Sequence, residues 1–189
     1  PAPTDGADRS LRPLDLKRRR REDRAGAATG QRIAFVLDNL AYPVNVGSLF
    51  RIADACGAEQ LALCGRTPLP SSGQSFERAA RGKDRSVPWQ HFPSTLQALE
   101  HLAREGFVPV AVELSGRAEA YHEAQLPPAC ALVMGHEDHG VSRAALEACA
   151  RHVYVPMLGD GGSLNVHVAA AVVAFRLRYP GKPPRMPST

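Results

Sequence analysis

Three separate segments of the chain combine glycines with polar or ionisable side chains at spacings that suit a ligand site. The first, residues 45–53, begins at Asn45, which can cap a helix, and places Arg51 among apolar residues. Burying a lone guanidinium is costly without a partner, so an anionic ligand or a carboxylate would account for Arg51. A surface arginine that extends past the core is the alternative interpretation.

The second segment, residues 133–140, is an apolar run that leads into Gly135, four ionisable residues and Gly140. This pattern is typical of a tight turn that approaches a ligand, although a solvated polar turn has a similar composition. His136 and His139 have the spacing of two metal ligands. No third ligand is evident in the sequence, so we expect no metal site.

The third segment, residues 155–166, leaves an apolar run at Pro156 and continues through a glycine-rich loop to Ser163 and Asn165. Glycines allow a ligand to approach the backbone closely. Capping of a following helix explains Ser163, whereas it explains Asn165 less readily.

The elements that would position these segments alternate between strands and helices. Apolar and β-branched runs predict strands at 33–37, 61–64, 87–92, 108–114, 129–134 and 153–155. Helical periodicity predicts helices at 45–56, 142–150 and 163–178, and one from Ser94 with Leu96, Leu99 and Leu102 on its apolar side. This alternation predicts an α/β fold with a mostly parallel sheet and helices on both faces. Ligands of such sheets bind at the carboxyl ends of the strands, where all three segments fall.

The composition limits the class of protein. The 189 residues, 44% hydrophobic and 22% charged, suit one globular domain. No apolar run reaches the ~20 residues that cross a bilayer, and no signal sequence is evident, so we expect a soluble, cytoplasmic protein. The dinucleotide, Walker and nucleophile-elbow motifs are absent, which disfavours dehydrogenases, P-loop NTPases and α/β-hydrolases. The four cysteines have no metal-binding spacing and are expected to be buried apolar residues.

The net charge of +4 is concentrated at the ends of the chain. Residues 1–31 carry eight basic and five acidic residues, residues 176–189 carry four basic ones and no acidic ones, and residues 32–175 carry eleven basic and fourteen acidic ones. We therefore expect a flexible basic arm over 1–31, a folded domain over 32–178 and a proline-rich basic tail over 179–189. Such ends suit capture of RNA or DNA, with phosphate contacts from Arg18, Arg19 and Arg20. The chain begins at Pro1 rather than at methionine, so the sequence leaves open whether a further domain precedes it.

The three segments, taken together, resemble the motifs of the SpoU (TrmH-type) group of RNA 2′-O-ribose methyltransferases in the SPOUT superfamily, over residues 32–178. The residues that carry the resemblance are Asn45, Gly47, Arg51 and Ala53; Gly135, Glu137 and Gly140; and Val155-Pro156 with Ser163-Leu164-Asn165-Val166. His136, Asp138 and His139 depart from the family pattern, in which small or basic residues are more common.

The resemblance implies a deep C-terminal trefoil knot, a homodimer with its active site near the interface, and S-adenosylmethionine as the methyl donor. The residues implied to bind the donor are Met134, Gly135, Val155, Met157, Leu158 and Leu164. Arg51 is implied to assist the ribose hydroxyl in catalysis. Asn45, Ser163 and Asn165 would orient Arg51 and the ribose. Glu137 would pair with a cation or anchor its loop. The RNA, either tRNA or rRNA, would contact the cationic segment 66–85 through Arg78, Arg81, Lys83 and Arg85.

Two other functions stay open from the sequence. One is a catalytically silent RNA-binding or ribosome-assembly factor with the same fold. The sequence gives no support for a loss of activity, because Arg51, Glu137, Ser163 and Asn165 are all present. A methyltransferase that acts on DNA or on a small molecule would bind the donor, but RNA would not compete for its site. We expect neither a membrane nor a metal ion among the partners.

Overall fold

The computed structural model describes residues 13–26, 30–70 and 72–180 and is built on one sheet of seven strands. The strands are β1 (Arg32–Asp38), β2 (Gln60–Cys64), β3 (Trp89–Phe92), β4 (Val108–Val112), β5 (Glu119–Ala120), β6 (Ala129–Gly135) and β7 (Arg151–Tyr154). The helices are α1 (Pro13–Gly26), α2 (Pro43–Cys56), α3 (Gln74–Ala80), α4 (Thr95–Arg104), α5 (Arg143–Ala148) and α6 (Val166–Arg178), with a short 3-10 helix at Lys83–Arg85.

The sheet has the strand order β3-β2-β1-β6-β4-β7-β5, and every pair of neighbouring strands is parallel. The prediction of a mostly parallel sheet is therefore confirmed. The strand β6 lies between β1 and β4, and Asp38 at the end of β1 pairs in register with Gly135 at the end of β6. Residues at the carboxyl ends of these three strands consequently share one edge of the sheet.

Successive side chains of each strand enter two different hydrophobic clusters, because they point to opposite faces of the sheet. On one face, Phe35 and Leu37 of β1 pack with buried residues of α2, α3 and α6. On the other, Ala34 and Val36 pack with buried residues of α4 and α5. Helices thus cover both faces of the sheet, as predicted, and the strands read as continuous apolar runs because neither face meets water.

Several elements differ from the sequence prediction. The cationic segment 66–85 contains α3 and the 3-10 helix, two elements that the periodic patterns above did not predict. The helix α6 begins at Val166 rather than at Ser163, because the Asn165 side chain caps it by accepting a hydrogen bond from the His167 amide. Leu96 is exposed although the periodicity places it on the apolar side of α4, whereas Leu99 and Leu102 are buried.

A helix, α1, forms between Pro13 and Gly26, where the sequence predicted a flexible arm. Arg18 pairs with Glu22 and Arg19 with Asp23, at 3.0 and 3.5 Å, and such pairs one turn apart favour an exposed helix. The remaining residues of the arm before position 13, and those of the basic tail after position 180, lie outside the described residues. Within the described ranges, no helix is both long and apolar enough to cross a membrane.

Candidate functional site

The structure brings the three polar segments together at the carboxyl edge of the sheet. The Asn45 side-chain amide donates a hydrogen bond to the Glu137 carboxylate over 2.6 Å. The Asn45 carbonyl oxygen accepts a hydrogen bond of 3.3 Å from the Asn165 side chain. One buried asparagine therefore joins the second and third segments, which lie 92 and 120 residues further along the chain.

Glu137 anchors the first turn of α2. Its carboxylate accepts hydrogen bonds from the backbone amides of Ala41 and Tyr42, over 2.8 and 3.2 Å, and from Asn45. The Tyr42 side chain at the N-cap position makes no capping hydrogen bond, so Glu137 satisfies the free amides of this helix end instead. Burial opposes ionisation of Glu137, but these hydrogen bonds outweigh it and lower the pKa of the carboxyl. Of the two roles expected for Glu137, the contacts show the anchoring one.

The two glycines of the second segment are required by the backbone packing of its turn. The His136 amide donates to the Gly140 carbonyl and the Gly140 amide to the His136 carbonyl, over 3.0 and 2.8 Å. A β-carbon on Gly135 would overlap the backbone of Gly140 and Val141. Gly140 has a φ of +68° and lies against the Glu113 carboxylate. Side chains at these positions would open the turn. We call residues 135–140 the donor turn, because the family resemblance implies that this segment binds the methyl donor.

Carboxylates from both neighbouring strands hold the exit of the donor turn. Glu113, just after β4, accepts a hydrogen bond of 3.0 Å from the Val141 amide. Asp38, at the end of β1, accepts one of 2.7 Å from the Ser142 amide and one of 2.5 Å from Thr95. Sequence reasoning missed Asp38 and Glu113, because pairing a strand end with this turn requires the strand order β1-β6-β4.

His167 is a second residue that sequence reasoning missed. Its Nδ1 lies 3.1 Å from the Asn45 carbonyl oxygen, to which only a protonated Nδ1 can donate. Burial lowers the pKa of His167, so the ring is neutral near neutral pH. The Asn45 amide is therefore held by Glu137 on its nitrogen and by Asn165 and His167 on its oxygen.

A pocket of about 720 Å³ lies between the donor turn, the ends of β4 and β7, and the loop before α6. Five of the residues expected to bind the donor line it: Met134, Gly135, Val155, Met157 and Leu164. Leu158 is fully exposed and does not line the pocket, whereas its neighbour Met157 does, so donor binding by Leu158 stays a prediction. Among the expected catalytic residues, Glu137, Ser163 and Asn165 also line the pocket.

The charges of the pocket suit a cationic ligand. Glu113, Glu137 and Asp138 contribute carboxylates, and none of the described lining residues is lysine or arginine. The remaining walls are apolar side chains and glycine backbone, which suit an adenine ring. These residues therefore fit S-adenosylmethionine, which joins a nucleoside to a sulfonium cation.

Arg51 lies apart from this hydrogen-bond network. It is exposed on α2 and makes no hydrogen bond or ion pair with the residues that the structure describes. A β-carbon on Gly47 would lie 2.6 Å from the Phe76 carbonyl oxygen, so glycine allows α3 to pack closely one turn before Arg51. The exposed position matches the surface alternative for Arg51 and leaves its guanidinium available to a ligand.

The expected RNA-binding residues are divided between paired and unpaired cations. Lys83 pairs with Asp54 at 2.8 Å, and Arg18 and Arg19 pair within α1. Arg78 contacts Gln74 over 3.4 Å. Arg20, Arg81 and Arg85 form no ion pair with other described residues. The structure does not bring α1 and segment 66–85 into contact with the donor pocket.

A metal centre has no support in the described ranges, where no three His, Cys, Asp or Glu side chains are grouped to hold an ion. His136 and His139 stack on each other, with ring centroids 4.6 Å apart. The Nδ1 of His136 accepts a hydrogen bond of 3.1 Å from the Asp138 amide. These two histidines therefore shape the donor turn.

The fold and the pocket define an α/β protein with a pocket at the carboxyl edge of a parallel sheet, where ligands of such folds bind. The chain belongs to the SpoU rRNA methylase family, whose model matches residues 32–175.

Named relatives are similar to the chain over most of its length. It is 30% identical over 146 residues to the 23S rRNA (guanosine-2′-O-)-methyltransferase RlmB of Neisseria meningitidis, covering 77% of this chain and 58% of that protein. It is 33% identical over 153 residues to the 23S rRNA (guanosine(2553)-2′-O)-methyltransferase RlmP of Bacillus subtilis, covering 80% of this chain and 59% of that protein. The chain thus spans less than two thirds of the length of these curated relatives.

A solved structure gives the same result for the fold. The chain is similar to the SpoU methyltransferase AviRb from Streptomyces viridochromogenes, in complex with the cofactor AdoMet, with a TM-score of 0.70 and 26% identity. That match covers 78% of this chain and 59% of the other.

Proposed function

We propose that this protein transfers a methyl group from S-adenosylmethionine to a ribose 2′-hydroxyl of tRNA or rRNA. The observation that carries the proposal is that Asn45 joins the start of α2 to the donor turn and to the loop before α6, the two segments that line the pocket. Membership of the SpoU rRNA methylase family supports it. The cytoplasmic location expected from the sequence agrees with such a substrate and stays a prediction.

S-adenosylmethionine supplies a methyl group on a positively charged sulfur. The pocket residues would hold the donor: carboxylates of Glu113, Glu137 and Asp138 would stabilise the positive charge, and the glycine backbone of the donor turn would leave room for the nucleoside. The hydrogen bonds that the Val141 and Ser142 amides donate to Glu113 and Asp38 hold the exit of the turn in place.

Arg51 acts on the RNA rather than on the donor. A guanidinium stays protonated under ordinary conditions, so it cannot accept the hydroxyl proton. It instead binds the adjacent phosphate and stabilises the negative charge that develops on the ribose oxygen, while the proton leaves to phosphate or water. Its exposure on α2, with no ion pair to a described residue, supports this role.

The homodimer and the trefoil knot belong to the same proposal. The helix α6 exposes Val168 and Phe175, which face one way because they are two turns apart, and the Tyr179 ring just after the helix stacks on Phe175. Such exposed apolar side chains on a C-terminal helix support a contact with a second copy of the chain. The threading of the third segment through a loop near the donor turn is proposed from the family resemblance. Sedimentation velocity tests the dimer, and a monomer at assay concentration would contradict it.

The experiment that tests the activity is incorporation of a radiolabelled methyl group from S-adenosylmethionine into bulk RNA, followed by digestion to nucleosides. The proposal expects 2′-O-methylnucleosides to carry the label. A silent RNA-binding factor would bind RNA and incorporate no label. Label in DNA or in a small molecule, without competition by RNA, would favour the third function. Mapping the labelled ribose then distinguishes tRNA from rRNA.

A further inference from the structure

We propose that Trp89 forms a stacking site for an unpaired base of the RNA substrate, on the edge strand that follows the cationic segment 66–85. The inference rests on the proposed function and deepens it, because it adds a second point at which the RNA is held. Trp89 is the only tryptophan of the 189-residue sequence. It begins β3, and 39% of its surface is exposed.

The position of Trp89 at the edge of the sheet explains its exposure. β3 is the terminal strand of the sheet, and Trp89, Gln90 and His91 are all exposed, whereas Phe92 is buried. An edge-to-face contact with Phe50, with ring centroids 6.5 Å apart, fixes the indole from one side. The rest of the ring is accessible and already positioned, so stacking a base on it requires little ordering.

Trp89 lies on the same side of the domain as Arg51. Phe50, which contacts Trp89, immediately precedes Arg51 in α2. Gly47 packs against α3, and Asp54 pairs with Lys83, so α3 and the 3-10 helix contact α2 on either side of Arg51. Residues 47, 51 and 54 are spaced by whole helical turns and share one face of α2. Both residues therefore belong to the side of the sheet that α2 covers, where α3 and the 3-10 helix also pack.

The charge of this surface fits a polyanion. Segment 66–85 carries five basic and two acidic residues, whereas residues 32–175 as a whole carry eleven basic and fourteen acidic ones. Arg66, Arg81 and Arg85 are exposed and form no ion pair with the described residues. His91 lies beside Gly65, whose carbonyl oxygen is 3.1 Å from its Nε2, so Arg66 approaches the far end of β3.

An exposed indole that follows a segment with exposed, unpaired arginines is an arrangement that suits single-stranded nucleic acid. Arginines neutralise the phosphates, and the aromatic face stacks on a base. A base inside a duplex has no free face, so the ligand is an unpaired nucleotide of the RNA, away from the ribose that receives the methyl group. An apolar protein partner would leave three guanidiniums to be desolvated without partners, and its binding would be one outcome that contradicts the proposal.

Because Trp89 is the only tryptophan, its intrinsic fluorescence reports the site directly in the wild-type protein. The full-length chain is titrated with a single-stranded oligoribonucleotide, with the corresponding duplex RNA, and with polyphosphate, which has charge but no bases. Fluorescence anisotropy of labelled RNA confirms binding. We expect quenching by the single strand to exceed clearly that by the duplex or by polyphosphate. Equal effects of the three ligands, or no change with bound single strand, would overturn the proposal.

Variants extend the test to methyl transfer. Trp89→Leu keeps apolar volume against Phe50 but removes the stacking face, and Trp89→Phe restores an aromatic ring. Stacking contributes roughly 1–3 kcal/mol per base, so the KM for RNA is expected to rise about 5- to 150-fold in Trp89→Leu. Trp89→Phe should recover part of that loss. The affinity for S-adenosylmethionine should not change in either variant.

The matched control is His122→Leu, which removes an exposed ring next to β5 at the opposite end of the sheet. This variant should have the wild-type KM for RNA. If the wild type methylates RNA but Trp89→Leu has an unchanged KM, the stacking site is wrong and the proposed function stands. If the wild type incorporates no methyl group and does not bind the donor, the proposed function is wrong, and the fluorescence titration still decides whether Trp89 binds RNA.

Discussion

Glu137→Gln tests the hydrogen-bond network that joins the donor turn to α2. The carboxylate accepts three hydrogen bonds, from Ala41, Tyr42 and Asn45. Tyr42 and Asn45 donate to the same carboxylate oxygen, and the amide oxygen of glutamine can still accept from both, without the charge. The amide nitrogen of glutamine then faces the Ala41 N–H, so one hydrogen bond to a charged acceptor disappears. Such bonds contribute about 1.5–3 kcal/mol each when well buried, and because Glu137 is only half-buried we expect a loss of about 2 kcal/mol in the free energy of unfolding. The melting temperature should fall by roughly 4–8 °C.

The same variant predicts a pH dependence with a definite sign. The hydrogen bonds lower the pKa of Glu137 from its ordinary 4.5 in the folded protein. A carboxyl with a lowered folded pKa stabilises the protein above its unfolded pKa and loses that contribution as the pH falls through the folded pKa. The difference in stability between wild type and Glu137→Gln should therefore be constant near neutral pH and should shrink below pH 4.5.

Urea unfolding at several pH values between about 7 and 3.5 measures this difference. Glu100→Gln is the matched control, because Glu100 is exposed on α4 and its side chain makes no hydrogen bond with the described residues. The control should unfold like the wild type at every pH. The anchoring role would be refuted if Glu137→Gln were as stable as the wild type at neutral pH. It would also be refuted if the difference in unfolding free energy stayed the same in acid.

Three further predictions concern the donor turn, the RNA and the arm. Gly135→Ala places a β-carbon in the backbone of the turn and should lower the rate of methyl transfer by about 100-fold. The control Gly116→Ala, whose β-carbon meets open space, should keep the wild-type rate. Initial rates with saturating RNA measure both variants, and equal rates would contradict the prediction. Arg51→Lys should lower the rate by roughly 100-fold without changing donor affinity in calorimetry, and a near-normal rate would show that bidentate contacts of arginine are not needed. Removal of residues 1–31 should flatten the dependence of RNA affinity on salt, by about 0.7–0.9 in the logarithmic slope for each phosphate that the arm neutralises, and an unchanged slope would show that the arm does not bind RNA.

The sequence was sufficient for the fold class and for the segments that form the site. Apolar runs such as residues 33–37 and 129–134 predict buried strands because a parallel sheet covered on both faces has no polar side. The glycines and polar residues that follow these strands predict the edge at which the pocket forms. These features depend on short-range pattern, which a sequence displays directly.

The contacts that hold the site depend on which strands are neighbours, and a periodic pattern does not contain that information. Asp38 and Glu113 are ordinary strand-end acids until β1 and β4 are placed on either side of β6. In the sequence, His167 is a single polar residue within an apolar helix. Its contact with Asn45 becomes apparent only when α6 is placed beside α2. Leu158 is as apolar as its neighbour Met157, and only the backbone course of the loop decides which of the two faces the pocket.

The helix α1 shows a different limit of the sequence pattern. Its residues have no apolar face to pack, so periodicity gives no reason to expect a helix. The pairs Arg18–Glu22 and Arg19–Asp23 favour it instead, through charges one turn apart.

Hydrogen–deuterium exchange of the full-length protein, with and without S-adenosylmethionine, tests most directly whether the three segments form one donor site. The structure predicts that the donor slows exchange together in the donor turn at residues 135–140, in the loop at 155–165 and at the start of α2, where Glu137 and Asn45 transmit the ordering. Exchange in α1 should not change. Protection confined to one of these segments, or absent from all of them, would contradict a shared donor site.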